Sequence, residues 1–565
     1  MNILHRNRPT TRWNKRDIFL LILLAVVAVL SVNTVFHTSL HLLDSDTSND
    51  LLLAKHLHDT GRIISTDWYY GSELRVLNSH LILAPLFSLF SDWRKIRFFG
   101  VLMMQIILLL SFWYVCKSAS LKRKSYLLGG CLLLLPSSVA YGRIVLYNFH
   151  YVFYISISFV LVGLLLSFMK DMAKKRSIIW KIIHLCLLLV LSFLASLNGV
   201  RQIAITHIPM LFALGVWLLN AVNAGQLQES KEQNKCILWG IAATIAACVS
   251  CLAGYKVNQQ IAQTIPFQDF SSTWLRIDIA LRFEDVLFAL LHFFGMRRYS
   301  ILFSLQGAVS LIGIVAATVM LWFGATRLSP KNYHPDQPTG IRFLKLFFPC
   351  VLLSGIFTLF FFSNASHAIL YITPNIVWFI PFISAWFSEI PEDQEWLKKP
   401  IQPVMLGFVC TVLFISGLCN HMYFLNPKDS TFSQHYEGLS FTNATLVDTI
   451  EPLRARLVDE GYDIGYCTYW EGSILTEMSS GALTVVPITY SEEDSRYIYH
   501  NVLTDKRNRE ILPQKPFVCI ARAENAKWME SPIFASCELI WEGRDILCYE
   551  LTDPMVMKQY LDELN

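Results

Sequence analysis

Three carboxylates, Asp44, Asp46 and Asp50, stand within seven positions directly after the first long apolar run of the chain. A carboxylate can accept the proton of a reacting hydroxyl group, and an acidic cluster held at a membrane surface predicts a functional site. Asp and Ser also cap helices, so Asp46-Thr47-Ser48-Asn49 equally favours the start of a helix over residues 50–59. Capping and catalysis are compatible, because one carboxylate can serve both.

Three arginines, Arg75, Arg143 and Arg201, each lie at the end of an apolar stretch. The planar guanidinium fork suits phosphate oxygens, so these side chains are candidate phosphate ligands. The alternative is that they reach ordinary lipid headgroups, and we favour this alternative for Arg143. A functional role is favoured for Arg201, because Asn198-Gly199 lets the backbone turn tightly beside it.

An aromatic cluster, Trp68-Tyr69-Tyr70, stands close to Glu73. Aromatic side chains at a membrane interface usually serve as anchors, and they also stack on the faces of sugars. Tyr69, Tyr70 and Glu73 are therefore candidate substrate contacts, with anchoring as the stronger interpretation of the rings. The lone histidine His80, near an apolar helix start, predicts a structural hydrogen bond rather than a ligand.

The sequence shows no metal-ligand constellation, so we expect no cofactor, with a divalent ion on Asp44 and Asp46 as the alternative. Nine of the thirteen cysteines lie in or at the ends of apolar runs, where cysteine behaves as a small hydrophobe. The other four show no CxxC spacing, and a disulfide among them is the minor alternative to free thiols. These four are Cys467, Cys519, Cys537 and Cys548.

The composition predicts a polytopic membrane protein. The 565 residues are 54% apolar and 16% charged, with a mean hydropathy of +0.42. The net charge of +4 is small, and the basic clusters alternate along the chain, so nothing indicates a nucleic-acid partner. A basic N-terminus precedes an apolar run over residues 18–36 that is too long for a signal-peptide core. This pattern predicts an uncleaved first span with residue 1 in the cytoplasm.

The apolar runs predict eleven spans and an exterior C-terminus. The run over residues 76–90 falls short of the roughly 30 Å apolar core at about 1.5 Å per residue, and predicts an interfacial or re-entrant helix. If it and residues 286–296 both crossed, the count would be thirteen, and the basic cluster of residues 117–124 would lie outside. The eleven predicted spans cover residues 18–36, 98–116, 126–141, 146–169, 178–197, 203–221, 236–255, 300–323, 342–362, 371–388 and 404–419.

The chain therefore divides into a transmembrane domain, residues 1–419, and a soluble α/β domain, residues 420–565, on the exterior side. The exterior parts of the transmembrane domain include loop 38–97, which carries the acidic cluster, and segment 256–299. Periodicity in the C-terminal domain predicts strands near residues 463–469, 483–488, 517–522 and 546–551, and helices near 472–478 and 492–503.

A basic N-terminus, one span and an exterior loop that opens with Asp44-Ser45-Asp46 resemble the GT-C superfamily of integral membrane glycosyltransferases. This superfamily includes protein O-mannosyltransferases and lipid A aminoarabinose transferases. Three local patterns resemble bacterial GT-C-like proteins: DWYYGSELRVLN at residues 67–78, NGVRQ at 198–202 and GYCTYWEGSILTE at 465–477. The resemblance covers most of the chain as architecture and these short stretches as motifs.

The resemblance implies a GT-C-like fold and a reaction. Such enzymes move a sugar from a polyprenyl-phosphate donor to an acceptor outside the membrane, with a loop carboxylate near the first span as general base. On this chain it makes Asp46 the first choice of base and Asp44 the second, for an inverting transfer. The substrate-binding candidates are Arg201, Arg75, Arg143, Glu73, Tyr69, Tyr70 and Asp50. The acceptor is an envelope glycan, a lipid or a protein, and the setting is a bacterial cell membrane with lipid partners.

Two other functions fit the sequence. A transporter or flippase of a lipid-linked saccharide predicts essential charges near the bilayer midplane, and the apolar runs carry few. A non-catalytic membrane scaffold with an exterior binding domain predicts that Asp44 and Asp46 can both become Asn without consequence.

Overall fold

The computed structural model of the chain contains a helical bundle and, at one end of it, a C-terminal sheet domain. It describes residues 13–38, 42–71, 74–149, 151–173, 177–223, 231–265, 279–297, 301, 303–329, 337–361, 368–391, 401–426 and 444–563. The helices are α1 (Lys15–Thr38), α2 (Ser45–Thr60), α3 (His80–Leu86), α4 (Trp93–Ser118), α5 (Arg123–Leu134), α6 (Val139–Tyr141), α7 (Val152–Ala173), α8 (Ile178–Ser196), α9 (Ile208–Asn223), α10 (Lys231–Ala262), α11 (Ile279–Phe293), α12 (Leu305–Leu328), α13 (Thr339–Phe361), α14 (Ala368–Ile376), α15 (Phe379–Glu389), α16 (Ile401–Leu425), α17 (Ala444–Asp459), α18 (Tyr469–Met478), α19 (Asn525–Met529) and α20 (Val556–Asp562). The strands are β1 (Trp68–Tyr69), β2 (Ile464–Thr468), β3 (Thr484–Ser491), β4 (Arg496–Tyr499), β5 (Thr504–Asp505), β6 (Phe517–Ala521), β7 (Cys537–Glu542) and β8 (Ile546–Leu551).

Ten helices among the described residues are long and apolar enough to cross a membrane, or eleven if one bent pair forms a single span. The chain is thus a multi-pass membrane protein, and the prediction of about eleven spans is confirmed. The two segments that would have made thirteen do not supply further spans: α3 has only seven residues, and α11 has fifteen. At about 1.5 Å per residue both are shorter than the apolar core of a bilayer.

The bent pair is α5 with the segment Val139–Leu146, which meet at 89°. Pro136 follows the end of α5, where it cannot continue the helix. Backbone carbonyl groups at the break, which lack helical hydrogen bonds, accept hydrogen bonds from side chains of α16. Ser416 Oγ donates to Ser137 O at 2.9 Å, and Asn420 Nδ2 donates to Pro136 O at 2.8 Å. Such rescue is required where helical bonds are lost inside a bilayer. The straight span predicted over residues 126–141 is therefore wrong in shape, and the next helix, α7, begins at Val152 rather than at residue 146.

Different interhelical connections lie at the two ends of the bundle. Lys170 donates to Ser120 and the backbone of Lys122 donates to Ser388, so the basic residues around Lys122 and Lys170 lie at one end, here called the far end. The acidic loop and the segment around Asn198 meet at the opposite end, here called the domain end, because the C-terminal domain contacts it.

The C-terminal domain contains a six-stranded sheet in the order β4-β3-β2-β6-β8-β7. Strand β2 is parallel to β3 and β6, and the other pairs are antiparallel. Four strands lie where the sequence predicts them. The helix predicted over residues 492–503 is wrong: a turn with Ser495 at φ +53° leads into strand β4, which pairs with β3.

A second, two-stranded sheet joins the acidic loop to the C-terminal domain. Trp68 and Tyr69 of β1 pair antiparallel with Asp505 and Thr504 of β5. Helix α2 therefore lies between the bundle on one side and the C-terminal domain on the other, and its first turn carries the predicted chemistry.

Candidate functional site at the start of helix α2

The three carboxylates take different positions on α2. Asp44 is the N-cap: its Oδ1 accepts from Thr47 N at 2.8 Å, and Thr47 Oγ1 accepts from Asp44 N at 3.2 Å, which completes a capping box. The helix thus begins at Ser45 rather than at residue 50 as predicted. Asp46 lies in the first turn and is half-buried. The two aspartates therefore point in different directions, as two residues separated by one position do on a helix.

Two predicted arginines meet this acidic segment. Arg143, on the short π-helical stretch that follows the break after α5, forms an ion pair with Asp44. Arg75 forms an ion pair with Asp50, whose side chain is only 2% exposed. Guanidinium groups that are distant in sequence thus converge on α2. Their immediate role in this structure is to hold carboxylates in place.

A third arginine, which the sequence argument missed, is the most buried of the group. Arg97 on α4 donates from Nε and Nη2 to the two oxygens of Glu477 at 2.5 and 2.6 Å, and both side chains are at most 3% exposed. Its Nη2 also donates to Thr47 O at 3.1 Å. The only sequence signal for this pair is that the motif GYCTYWEGSILTE ends at Glu477. Nothing in that motif points to a partner 380 positions away.

The C-terminal domain also packs directly against the start of α2. Leu43, the residue before the cap, lies in the apolar core that includes Ile474 and Leu475 of α18. One turn into α2, Asn49 Oδ1 accepts a hydrogen bond from Ser473 Oγ at 2.8 Å. The acidic segment is thus fixed from both sides, by arginines of the bundle and by α18 of the domain.

Arg201 lies on a separate aromatic platform at the same end of the bundle. Its guanidinium carbon is 5.3, 5.1 and 5.5 Å from the ring centroids of Tyr151, Tyr154 and Tyr371. These are cation–π distances, and the flat faces orient the guanidinium plane.

The turn before Arg201 connects it to the loop that carries Arg75. Gly199 adopts φ +105°, which confirms the predicted need for glycine. Asn198 Oδ1 accepts from the backbone N–H groups of Val76 and Leu77 at 2.8 and 2.7 Å, and Asn198 Nδ2 donates to Leu77 O at 2.6 Å. These bonds fix the loop immediately after Arg75.

The predicted aromatic contacts separate into two roles. Tyr70 is fully buried, and its hydroxyl oxygen accepts a hydrogen bond from Ser65 N at 3.1 Å, which favours packing over substrate contact. Tyr69 is half-buried, with Lys506 Nζ and the Arg509 guanidinium 4.8 and 4.9 Å from its ring centroid. Glu73 lies outside the described residues, so its predicted contact stays a prediction.

A buried polar cluster joins the C-terminal half of α2 to the C-terminal domain. His56 Nδ1 lies 2.6 Å from Asp505 Oδ2, and His56 Nε2 lies 2.7 Å from Ser65 Oγ. The order Ser, His, Asp is that of a hydrolytic triad. Ser65 is only 1% exposed, however, and its oxygen also accepts from Asp67 N, so the cluster joins elements rather than presenting a nucleophile.

Two titratable groups show how charge is distributed here. Burial, reinforced by the nearby charge of Arg75, lowers the pKa of His80 to about 4, so the ring is neutral at physiological pH. Both of its ring nitrogens are buried without a hydrogen-bond partner among the described residues, so the predicted structural hydrogen bond is not found. Burial acts to raise the pKa of Asp505, but hydrogen bonds from His56 and Arg507 outweigh it and lower that pKa to about 2.

Within the described ranges, no group of three or more His, Cys, Asp or Glu side chains is placed to hold a metal ion. All thirteen cysteines are free thiols. Cys467, Cys519 and Cys548 lie side by side on β2, β6 and β8, in the apolar core of the domain.

The chain has been compared with known proteins. No protein-family model matches it, and no curated protein matches it. Among solved structures it is similar to the oligosaccharyltransferase of Archaeoglobus fulgidus tethered with an acceptor peptide containing an NVT sequon. The sequence identity is 11% and the TM-score 0.46, over 90% of this chain and 70% of that one.

Proposed function

We propose that the chain is an integral membrane glycosyltransferase of GT-C type, which transfers a sugar from a polyprenyl-phosphate donor to an acceptor. One observation carries the proposal: the acidic start of α2, directly after the first helix, is held by guanidinium groups from separate elements at one end of the bundle. Its support from sequence is the resemblance of the first loop and of NGVRQ to that superfamily.

Asp46 is the proposed general base. Asp44 is occupied as the N-cap of α2 and in the ion pair with Arg143, and Asp50 is buried against Arg75. Asp46 lies between them on the first turn and is half-buried. It would take the proton of the acceptor hydroxyl as that oxygen attacks the anomeric carbon. The bond from that carbon to the phosphate oxygen breaks on the opposite side, so the anomeric configuration inverts.

The leaving phosphate needs a cation to stabilise the charge it gains. Arg201 is the proposed ligand, because three tyrosine rings orient its guanidinium at the domain end. Arg75 and Arg143 add positive potential while holding Asp50 and Asp44. On this account the transfer needs no metal. The alternative, a divalent ion held by Asp44 and Asp46, would require both carboxylates to turn towards one point, whereas on α2 they point in different directions.

The proposed orientation puts the far end of the bundle, with its basic clusters, in the cytoplasm. The domain end, the C-terminal domain and the site then face the exterior of a bacterial cell membrane. The acceptor would be an envelope glycan, a lipid or a protein that approaches between this domain and the membrane surface.

The experiment is to offer the purified protein a panel of labelled polyprenyl-phosphate sugars and to measure transfer. Wild type is compared with Asp46→Asn, Asp44→Asn and, as a matched control on the same helix, Asp59→Asn. Transfer should fall about 10²- to 10⁴-fold in Asp46→Asn, fall less in Asp44→Asn, since Asn also caps helices, and stay unchanged in Asp59→Asn. Transfer that is the same in all four proteins would refute the assignment of the base.

A further inference from the structure

We propose that Glu477 of the C-terminal domain acts through Arg97 as a positioning device for the proposed base, so that transfer requires the domain to be docked on α2. The inference rests on the proposed function and adds to it a role for the domain. Neither residue contacts the reacting atoms in this proposal; both act through the backbone of the first turn of α2.

Arg97 is the fixed part of this device. It lies on α4, in the bundle, with its guanidinium carbon 4.9 Å from the centroid of the Phe149 ring. Asn148 Oδ1 is 3.5 Å from its Nη1. These neighbours lie on the connection between the break after α5 and the start of α7, so two parts of the bundle, α4 and this connection, set the direction of the fork.

Glu477 is the domain's contribution. It lies in the last turn of α18, and both of its carboxylate oxygens accept from Arg97. A bidentate pair of this kind fixes direction as well as distance. Burying two charges also costs solvation free energy, and replacing such a pair by apolar residues is often neutral or stabilising. We therefore assign the pair to geometry rather than to stability.

Thr47 connects Arg97 to the aspartates at the start of α2. Arg97 Nη2 donates to Thr47 O at 3.1 Å, while Thr47 N and Oγ1 form the capping box with Asp44. Asp46 lies between them, directly before Thr47. Rotation or loosening of this turn therefore moves the proposed base together with its neighbour.

The same helix provides a control. His56 and Asp505 join α2 to the domain as well, but nine positions after Thr47, about 14 Å along the helix axis at 1.5 Å per residue. Breaking this second contact removes one link between α2 and the domain, and the domain stays docked through the contacts of the first turn. A role specific to positioning therefore predicts different effects of the two contacts on transfer.

The decisive variants are Glu477→Met, Arg97→Met and the double variant Arg97→Met/Glu477→Met, with Asp505→Asn as control. Each single variant leaves one buried charge without its partner, so both stability and transfer fall. The double variant removes both charges, so the thermal midpoint should recover towards wild type. Its kcat should stay on the order of 100-fold low, because the base is misplaced, while the KM for the donor changes little. Asp505→Asn should keep kcat within about threefold of wild type.

A second measurement separates this inference from the proposed function. Hydrogen–deuterium exchange of the peptide containing residues 44–50 should be faster in the double variant and unchanged in Asp505→Asn. If the double variant exchanges faster but the wild-type protein transfers no sugar, the proposed function is refuted. The coupling of the domain to α2 is then retained. Recovery of kcat together with stability in the double variant, or unchanged exchange at residues 44–50, would overturn the positioning role.

Discussion

The two ends of the bundle use positive charge in different ways. At the domain end, Arg97 and Arg143 reach carboxylates on other elements, Glu477 and Asp44. At the far end, cations lie on aromatic rings: Lys345 Nζ and the Arg327 guanidinium are 3.6 and 4.2 Å from the centroid of Trp386, and Lys124 Nζ is 5.7 Å from that of Phe387. Lys345 also pairs with Glu389, which remains about one-third exposed.

This difference indicates at which end of the bundle charged side chains fix the positions of neighbouring groups. Paired guanidinium and carboxylate groups fix both direction and distance, as a site that aligns a base with a substrate requires. At the far end, cations that rest on tryptophan and phenylalanine rings are typical of anchoring near lipid headgroups. At the domain end, the three tyrosine rings around Arg201 orient a guanidinium that is a candidate phosphate ligand. Substitutions at the domain end should therefore have the larger effects.

The largest expected effect on stability is at Asp50. Asp50→Asn leaves Arg75 without its buried partner and should destabilise the protein by about 3 kcal/mol. Thermal unfolding in detergent measures the change. The control is Asp59→Asn, which removes an ion pair with Lys55 whose side chains are 43% and 36% exposed, and should cost less than about 0.5 kcal/mol. Equal effects of the two variants would contradict the account.

The contact between Asp505 and His56 should make docking of the domain depend on pH. The pKa of Asp505 is lowered from the ordinary value of 3.8 to about 2 on folding, so the ionised form is favoured in the folded state. Its contribution, roughly 2 kcal/mol, is complete above about pH 5 and is lost as the pH falls towards 2. The stability difference between wild type and Asp505→Asn should therefore shrink between pH 5 and pH 2. A constant difference over this range would show that the carboxylate is not responsible.

Asn198 offers a test of how the loop beside Arg75 is fixed. Asn198→Ala removes the acceptor of two backbone N–H groups, at Val76 and Leu77, and should cost about 1–2 kcal/mol. Because Arg75 precedes Val76, transfer should fall as well. Hydrogen exchange at residues 76–79 would show the release directly, and exchange at the wild-type rate would mean that the loop is held by other contacts.

The smallest effect is expected at the far end. Lys345→Met keeps a long apolar side chain on Trp386 and leaves Glu389 partly solvated, so stability should change by less than about 1 kcal/mol. Transfer should not change, because this end does not contact α2. A loss of transfer comparable with that of a domain-end variant would remove the distinction between the two ends.

Much of the architecture could be predicted from sequence, because long apolar runs and basic clusters have strong physical causes. The number of spans and the failure of residues 76–90 to cross follow from helix length against bilayer thickness. Asn198-Gly199 predicted a tight turn, and Gly199 indeed has positive φ. Arg75 and Arg143 were predicted as candidate phosphate ligands, with lipid headgroups as the favoured contact of Arg143, and their ion pairs with Asp50 and Asp44 were not predicted.

Other features depend on contacts that no local pattern encodes. The first cap is Asp44 rather than a residue of the stretch 46–49, because Thr47 completes a capping box with it. The sequence predicts a helix over residues 492–503, yet Tyr497 and Tyr499 are buried in the sheet domain and favour strand β4. The pair of Arg97 and Glu477 joins two domains through a contact 380 positions apart.

The central claim is that a carboxylate on the first turn of α2 takes the proton of the acceptor. The most direct measurement is kcat of Asp46→Asn with a saturating polyprenyl-phosphate sugar that wild type accepts. The account predicts a fall of about 100-fold or more, with a donor KM within about threefold of wild type. A variant that turns over at the wild-type rate would contradict it.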